Sequence, residues 1–145
     1  NIEVKDSNSL GSLPGDEISK LLPWIMVLAD HVGGIDGVYN LIESGKVEPI
    51  HIGFIRGRDI KNSIIYSTEA ENLTTQHVQL LLGRVGEGSN LWINGDWRQR
   101  DKKVFEKNSG LETTIEKLKG NRHFGYVHLE KSERSKIAAL ADLLD

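Results

Sequence analysis

The chain has 145 residues, which is enough for one domain with a buried core. Its hydrophobic content of 38% and charged content of 27% are ordinary for a soluble globular protein, and its net charge of -3 gives no overall basic excess of the kind that indicates nucleic-acid binding. The lack of cysteine excludes disulfides, thiol catalysis and cysteine-bound metals and fits a cytoplasmic protein, while no apolar run approaches the roughly 20 residues of a membrane helix.

The first third of the chain predicts helices after a short strand at Ile2–Val4. Apolar residues recur at three- and four-residue steps from Ile18 to Val32, and Pro23 predicts a kink or a new helix start within that run. The pair Gly33-Gly34 ends the segment, and a short helix stopped by Gly45 follows.

From residue 47 onward, the pattern alternates between strands and helices. The predicted strands are Val47–Ile52, Ile64–Ser67, Leu91–Ile93 and Tyr126–Leu129. The predicted helices are one capped by Thr74, one opened by a Ser109/Glu112 capping box and running through Leu118, and one capped by Ser132. This alternation predicts an α/β fold with a mainly parallel sheet flanked by helices, as a single domain over residues 1–145.

Acidic residues follow two of these strands. Ligands of parallel α/β sheets bind outside the carboxyl ends of the strands, where Glu69 and Asp96 would meet if their strands are neighbours. Two carboxylates at one sheet edge can hold a metal ion, polarise a water molecule or divide into acid and base roles. Alternatively, they start the helices that follow, where the helix dipole favours negative charge.

The remaining polar residues give weaker signals. Arg56 and Arg58 in a turn, and Arg84 at a helix end, have the planar donors that suit phosphate, although most surface arginines are only solvated. The phosphate-binding pattern G-x-x-x-x-G-K-[ST] does not occur in the sequence, and the glycines of residues 83–88 predict a helix end and a turn. The five histidines have no metal-ligand spacing, so no zinc site or other histidine-bound metal site is predicted.

An ordered series of motifs resembles the PhoH-like family of P-loop ATPases over nearly the whole chain. The motifs are Leu13-Pro14-Gly15, Pro23-Trp24, Phe54-Ile55-Arg56-Gly57-Arg58, Glu69-Ala70-Glu71-Asn72-Leu73-Thr74, Arg84-Val85-Gly86-Glu87-Gly88-Ser89, Gly95-Asp96 with Gln99 and Asp101, and Ser109-Gly110-Leu111. The closing segment Ser132-Glu133-Arg134-Ser135 is similar to the tail of phage-type members. The resemblance implies a partial RecA-like core related to superfamily 1 helicases. It also implies ATP and Mg²⁺ as cofactors of the intact protein, RNA or single-stranded nucleic acid as a partner, and a homo-oligomer.

The resemblance also implies roles for individual residues. Ile64–Glu69 would be the Walker B strand, with Glu69 polarising the attacking water and Thr68 beside the nucleotide. Asp96 and Gln99 would sense the γ-phosphate and couple it to nucleic acid. Basic positions that would contact phosphate, in this subunit or from a neighbour, are Arg56, Arg58, Arg84 and Arg134.

The sequence departs from the family pattern Asp-Glu-Ala-Gln-Asn in two places. Thr68 stands where the family has the aspartate that holds magnesium through water, and Glu71 stands where it has glutamine. The Walker A motif is absent from these 145 residues, and the first residue is Asn1. We therefore expect the C-terminal part of a longer ATPase, with little or no ATP hydrolysis by this chain alone. The alternative is a degenerate, non-hydrolysing family member that binds nucleic acid or oligomerises.

Overall fold

The structure, a computed structural model, describes residues 25–96, 109–130, 135–138 and 140. Its residues divide into two compact units, one ending at Thr114 and one beginning at Ile115. The predicted strand at Ile2–Val4, the break at Pro23 and the cap at Ser132 lie outside the described residues. The prediction of a single domain stays a prediction.

Two consecutive helices begin the described part of the chain. A 3-10 turn at Met26–Leu28 leads into α1 (Ala29–Val32), and α2 follows at Gly34–Glu43. Gly33 ends α1 with a φ of 87°, in the left-handed region that glycine enters without steric cost, which confirms the predicted boundary. Val38, only 1% exposed, is the buried residue of α2.

The sheet of the described residues has two parallel strands, β1 (Ile64–Ser67) and β2 (Asn90–Ile93). Ile64 pairs with Asn90 at one end of the ladder, and Ser67 pairs with Ile93 at the other. A parallel bridge between Ile60 and Val85 continues the pairing before the strands begin. The predicted parallel sheet is confirmed.

Helix α3 (Thr75–Leu82) makes the crossover between the two strands, as parallel pairing requires. Thr74 caps it as predicted, because its side-chain oxygen accepts from the backbone N–H of His77. Val78 and Leu81 form the buried stripe of α3, and Leu73 before the cap is 1% exposed. This apolar side of the helix forms much of the core of the first unit.

Helix α4 (Gly110–Leu118) begins next to the start of α3. The Ser109 hydroxyl accepts from the backbone N–H of Glu112 at 3.2 Å, which confirms Ser109 as the predicted cap. The backbone N–H of Gly110 donates to the carbonyl of Leu73 at 2.8 Å. A Cβ on Gly110 would lie 2.5 Å from the carbonyl oxygen of Thr74, so the close approach of the two helix starts depends on this glycine.

Two predicted strands are wrong. Val47–Ile52 forms no strand, since Pro49 has no N–H for a ladder and the His51 ring nitrogen Nδ1 accepts from the Gly53 N–H, which turns the chain into a 3-10 helix at Ile52–Phe54. Tyr126–Leu129 is not a strand either, because no strand ladder of the described residues includes it. The apolar pattern of each segment is that of a strand, but a strand also requires a hydrogen-bonded partner.

The predicted final helix is described only around residues 135–138. The Ser135 hydroxyl accepts from the backbone N–H of Ala138 at 3.0 Å, which closes a single turn. Ile137, an apolar residue of this turn, is 80% exposed. Across the described ranges, no helix has the length and apolar character needed to cross a membrane.

Candidate functional site

The carboxyl ends of β1 and β2 meet at one edge of the sheet. Beyond the last ladder pair, the Asn94 N–H donates to the Ser67 carbonyl at 2.8 Å, and the Ala70 N–H donates to the Asn94 carbonyl at 3.0 Å. These two bonds continue the strand pairing past the strand ends. They place Glu69 and Asp96 at the same edge, which confirms the arrangement that was conditional on neighbouring parallel strands.

Glu69 lies at a sharp turn directly after β1. Its φ of 54° and ψ of 41° are in the left-handed region, which costs an L-residue with a Cβ about 1–2 kcal/mol. The Asn72 N–H closes the turn by donating to the Glu69 carbonyl at 3.1 Å. Glu69 is exposed, whereas the next residues, Ala70 to Leu73, are buried. Backbone strain of this kind is found repeatedly at functional sites.

Glu71 carries the second carboxylate of this turn, and it is buried. Only 2% of the residue is exposed, and its Oε2 accepts a hydrogen bond from the backbone N–H of Asp96 at 3.0 Å. Burial raises the pKa of the Glu71 carboxyl, and the negative charge of Glu69 raises it further, against the lowering effect of backbone N–H donors. The sequence identified Glu71 only as a departure from the family pattern and did not indicate this contact. A sequence signal for the burial of Glu71 is its position within the short segment Ala70–Leu73, which begins and ends with an apolar residue.

Gly95 allows β2 to approach the Glu69 turn closely. A Cβ at Gly95 would lie 2.6 Å from Glu71 Oε2, 2.8 Å from the Glu71 backbone nitrogen and 2.9 Å from the Ala70 backbone nitrogen. Each of these distances is shorter than a side chain allows. The residue is a glycine because of this contact, which brings Asp96 within reach of the Glu71 carboxylate.

Thr68 stands between the buried Ser67 and the exposed Glu69, and it is half-buried. Within the described ranges, no group of three or more histidines, aspartates or glutamates is placed to hold a metal ion. Magnesium is usually bound by one or two carboxylates together with phosphate oxygens and water. The hydroxyl of Thr68 and the carboxylate of Glu69 could supply part of the ligand set of such a site, because they offer one neutral and one charged oxygen ligand.

Arg58 and Arg84 lie near the bridge between Ile60 and Val85, before the other end of the strands. Arg84 adjoins Val85, whose bridge to Ile60 precedes β1 by four residues, so the whole length of β1 lies between this bridge and the Glu69 edge. One terminal nitrogen of Arg84 donates to the Arg58 carbonyl at 3.4 Å, while its Nε is buried and has no hydrogen-bond partner among the described residues.

Arg58 in turn is held by Glu48. Two hydrogen bonds of 3.0 Å join the guanidinium to the carboxylate, which lowers the pKa of Glu48 and raises that of Arg58. Arg56 is exposed in the adjoining turn. The structure therefore brings Thr68, Glu69 and Asp96 to one edge of the sheet, whereas Arg58 and Arg84 lie near the bridge that precedes the strands. Gln99 and Arg134 lie outside the described residues.

Comparison with known proteins gives one consistent result. A family model described as PhoH-like protein matches residues 1–143. Protein PhoH2 of Bacillus subtilis is 40% identical over 152 residues, covering 97% of this chain and 34% of that protein. Protein PhoH2 of Mycolicibacterium smegmatis is 36% identical, with coverages of 90% and 31%, and a PhoH-like protein of Bacillus subtilis is 32% identical, with coverages of 98% and 45%. The chain thus spans between 31% and 45% of the length of these relatives.

Proposed function

The chain belongs to the PhoH-like protein family, and we propose that it carries the water-activating part of an ATP-hydrolysing site. The family is related to ATP binding and hydrolysis, and the parallel sheet is consistent with a fragment of a P-loop nucleoside triphosphatase. The observation that carries the proposal is the meeting of Glu69 and Asp96 at the carboxyl ends of two parallel strands. This is the edge at which α/β sheets bind their ligands.

In the proposed mechanism, Glu69 orients the attacking water and accepts its proton. The left-handed turn supports this role because it holds the carboxylate in an exposed position beyond the end of the strand. Asp96 and Gln99 detect the terminal phosphate and transmit its presence to bound nucleic acid. When bound, ATP with Mg²⁺ would supply the phosphoryl group and neutralise its developing charge.

Thr68 weakens the site in this proposal. A hydroxyl offers a magnesium ion no negative charge, whereas the aspartate of the family pattern does. The 145 residues also contain no G-x-x-x-x-G-K-[ST] pattern to bind the phosphates. We therefore expect the chain alone to hydrolyse little or no ATP. Turnover above that of a Glu69→Ala variant would contradict this expectation.

A hybrid protein tests the proposal directly. In it, this chain replaces the segment of Bacillus subtilis Protein PhoH2 to which it aligns. We expect magnesium-dependent ATP hydrolysis that Glu69→Gln lowers at least about 100-fold, the usual contribution of a general base. Glu43→Gln, which makes the same change on an exposed residue of α2, is the control. Equal turnover in the Glu69→Gln hybrid would remove Glu69 from the mechanism.

In the same hybrid, Thr68→Asp should strengthen the dependence of turnover on magnesium. The change places a carboxylate where the family pattern has one and leaves Glu69 in place. Turnover that responds to magnesium as before would show that Thr68 does not weaken the site.

The second candidate is a non-hydrolysing PhoH-like module that binds nucleic acid or oligomerises. The observation that favours it is an exposed apolar sheet face, on which Ile64, Tyr66 and Trp92 are 64%, 54% and 58% exposed. An inactive hybrid beside an active parent protein would support this module. Its homo-oligomer would appear as a concentration-dependent mass in sedimentation, and Trp92→Lys would reduce that mass.

RNA or single-stranded nucleic acid as a partner, and a cytoplasmic location, are further parts of the proposal. The nucleic-acid partner follows from the family resemblance, and the cytoplasmic location follows from the lack of cysteine. Binding of a labelled single-stranded RNA, measured by fluorescence anisotropy with single-stranded DNA as the comparison, tests the partner. Equal anisotropy with and without the hybrid protein would count against it.

A further inference from the structure

We propose that Glu71 is a positioning residue that fixes Asp96 beside Glu69 at the carboxyl end of the sheet. The role rests on the function proposed above for that edge. Glu71 reaches Asp96 across 25 residues of chain through a 3.0 Å hydrogen bond from the Asp96 N–H to Glu71 Oε2. It belongs to the turn that presents Glu69, so one short segment controls both carboxylates.

The bond extends the connection between the strand ends. Backbone bonds join Asn94 to Ser67 and to Ala70. Asp96 lies two residues beyond Asn94, and its backbone N–H is hydrogen-bonded to the side chain of Glu71. Without this hydrogen bond, the position of Asp96 relative to Glu69 would depend more on the chain that follows β2.

The surroundings of Glu71 hold its carboxylate in place. Its neighbour Ala70 is fully buried, and Leu73 two residues later is 1% exposed, so the backbone of the turn is anchored in the core. Gly95 packs directly against the carboxylate and leaves no room for a Cβ. A buried acceptor with a matched donor gains more from its hydrogen bond than an exposed one, because water cannot replace the partner.

The role requires an acceptor oxygen at this position and does not require a charge. Glutamine has nearly the shape of glutamate, and its side-chain carbonyl can accept from the Asp96 N–H. Methionine has a similar length and fits an apolar environment, but its sulfur is only a weak acceptor. Glu71→Gln and Glu71→Met are therefore a matched pair that separates hydrogen bonding from size.

Amide hydrogen exchange on the full 145-residue chain, without nucleotide, tests the hydrogen bond between Asp96 and Glu71. In Glu71→Met, the Asp96 amide should exchange about tenfold faster, as expected for the loss of one hydrogen bond to a carboxylate. In Glu71→Gln, it should exchange at the wild-type rate. The Ala70 amide, which donates to the Asn94 carbonyl, is the internal control and should stay protected in both variants. Unchanged exchange of Asp96 in Glu71→Met would overturn the proposal.

Glu71→Met can also unfold, in which case all of its amides lose protection. Glu71→Gln then decides, because tenfold faster exchange at Asp96 alone would overturn the role of the acceptor oxygen, and wild-type exchange would support it.

Turnover of the hybrid protein then shows whether the hydrogen bond between Asp96 and Glu71 affects activity. There, kcat should fall in Glu71→Met and recover in Glu71→Gln, while the KM for ATP stays constant, since Glu71 is assigned no contact with the nucleotide. A hybrid without any turnover would count against the proposed ATPase function, whereas the exchange result on the chain alone would still decide whether Glu71 holds Asp96.

Discussion

Ser67 and Ile93 face each other as the last pair of the parallel ladder, and the residues just beyond them form the candidate site. Glu69 follows Ser67 by two residues and Asp96 follows Ile93 by three. Because the strands are parallel, both carboxylates emerge at the same end of the sheet. The antiparallel arrangement would have placed them at opposite ends, so the direction of one strand decides whether this site exists.

The backbone conformation of Glu69 gives the first prediction. A glycine at this position removes the steric cost of the left-handed conformation, whereas an alanine keeps it. We therefore expect the chain with Glu69→Gly to be more stable than the chain with Glu69→Ala by about 1 kcal/mol, as measured by urea unfolding. Equal stability of the two variants would mean that the turn relaxes and that Glu69 is not held under strain.

The contact at Gly95 gives the second prediction. In Gly95→Ala, the new methyl group collides with Glu71 Oε2 and with two backbone nitrogens, so the strand ends must separate. We expect a loss of about 1–3 kcal/mol in the free energy of unfolding, the usual cost of overpacking.

Gly125→Ala is the control for this experiment. A Cβ there would meet no atom within 4 Å, and the backbone does not require a positive φ. We expect this variant to unfold at the same urea concentration as the wild type, within error. A Gly95→Ala variant as stable as Gly125→Ala would show that β2 does not pack closely against the Glu69 turn.

The sheet edge was predictable because its signals are local. A short apolar run that ends in polar residues marks the end of a strand, and Thr74 and Ser109 are cap residues that can be read without knowledge of the fold. The wrong strand at Val47–Ile52 has the same apolar content, but Pro49 and the His51–Gly53 hydrogen bond favour a turn there. Whether an apolar segment finds a strand partner is a property of the fold and not of the segment.

The contact of Glu71 was not predictable for a related reason. Its hydrogen-bond partner is 25 residues away in sequence, and the bond forms only because β1 and β2 pair in one register. The separation of the arginines from the site depends on the same register. Arg58 and Arg84 lie near the bridge before the strands, so they reach the Glu69 edge of their own chain less readily than the motif order suggests.

The buried carboxyl of Glu71 gives the third prediction. Its pKa is raised in the folded chain, so the folded state binds the proton more readily than the unfolded state, whose pKa is near 4.5. The contribution of this carboxyl to the stability of the wild type should therefore fall as pH rises above 4.5, and level off above the folded pKa.

Glu71→Gln isolates this contribution because glutamine does not titrate. Urea unfolding of both chains across the acidic range should show the wild type losing stability relative to Glu71→Gln as pH rises. Parallel stability profiles would contradict the raised pKa, and a wild type that gains stability over the variant with rising pH would reverse its sign.

The capping box of α3 gives the last prediction, which concerns His77. Its ring nitrogen Nδ1 accepts from the backbone N–H of Thr74 at 3.1 Å, which requires that Nδ1 carry no proton. Burial lowers the pKa of His77 below its ordinary 6.5, so in the folded state the ring stays neutral to lower pH than in the unfolded state. The unfolded chain then binds more protons, and the contribution of His77 to stability falls as pH drops below 6.5 until the folded pKa is reached.

His77→Gln keeps a side-chain acceptor at the same position and cannot titrate, so the stability of this variant should lack the contribution that falls. Urea unfolding of both chains between neutral and acidic pH measures the difference in their stability. The pKa of His51 is also lowered by burial, but His51 is present in both chains, so its contribution cancels in this difference. A wild type and a His77→Gln variant that lose stability in parallel would mean that protonation of His77 leaves the cap intact.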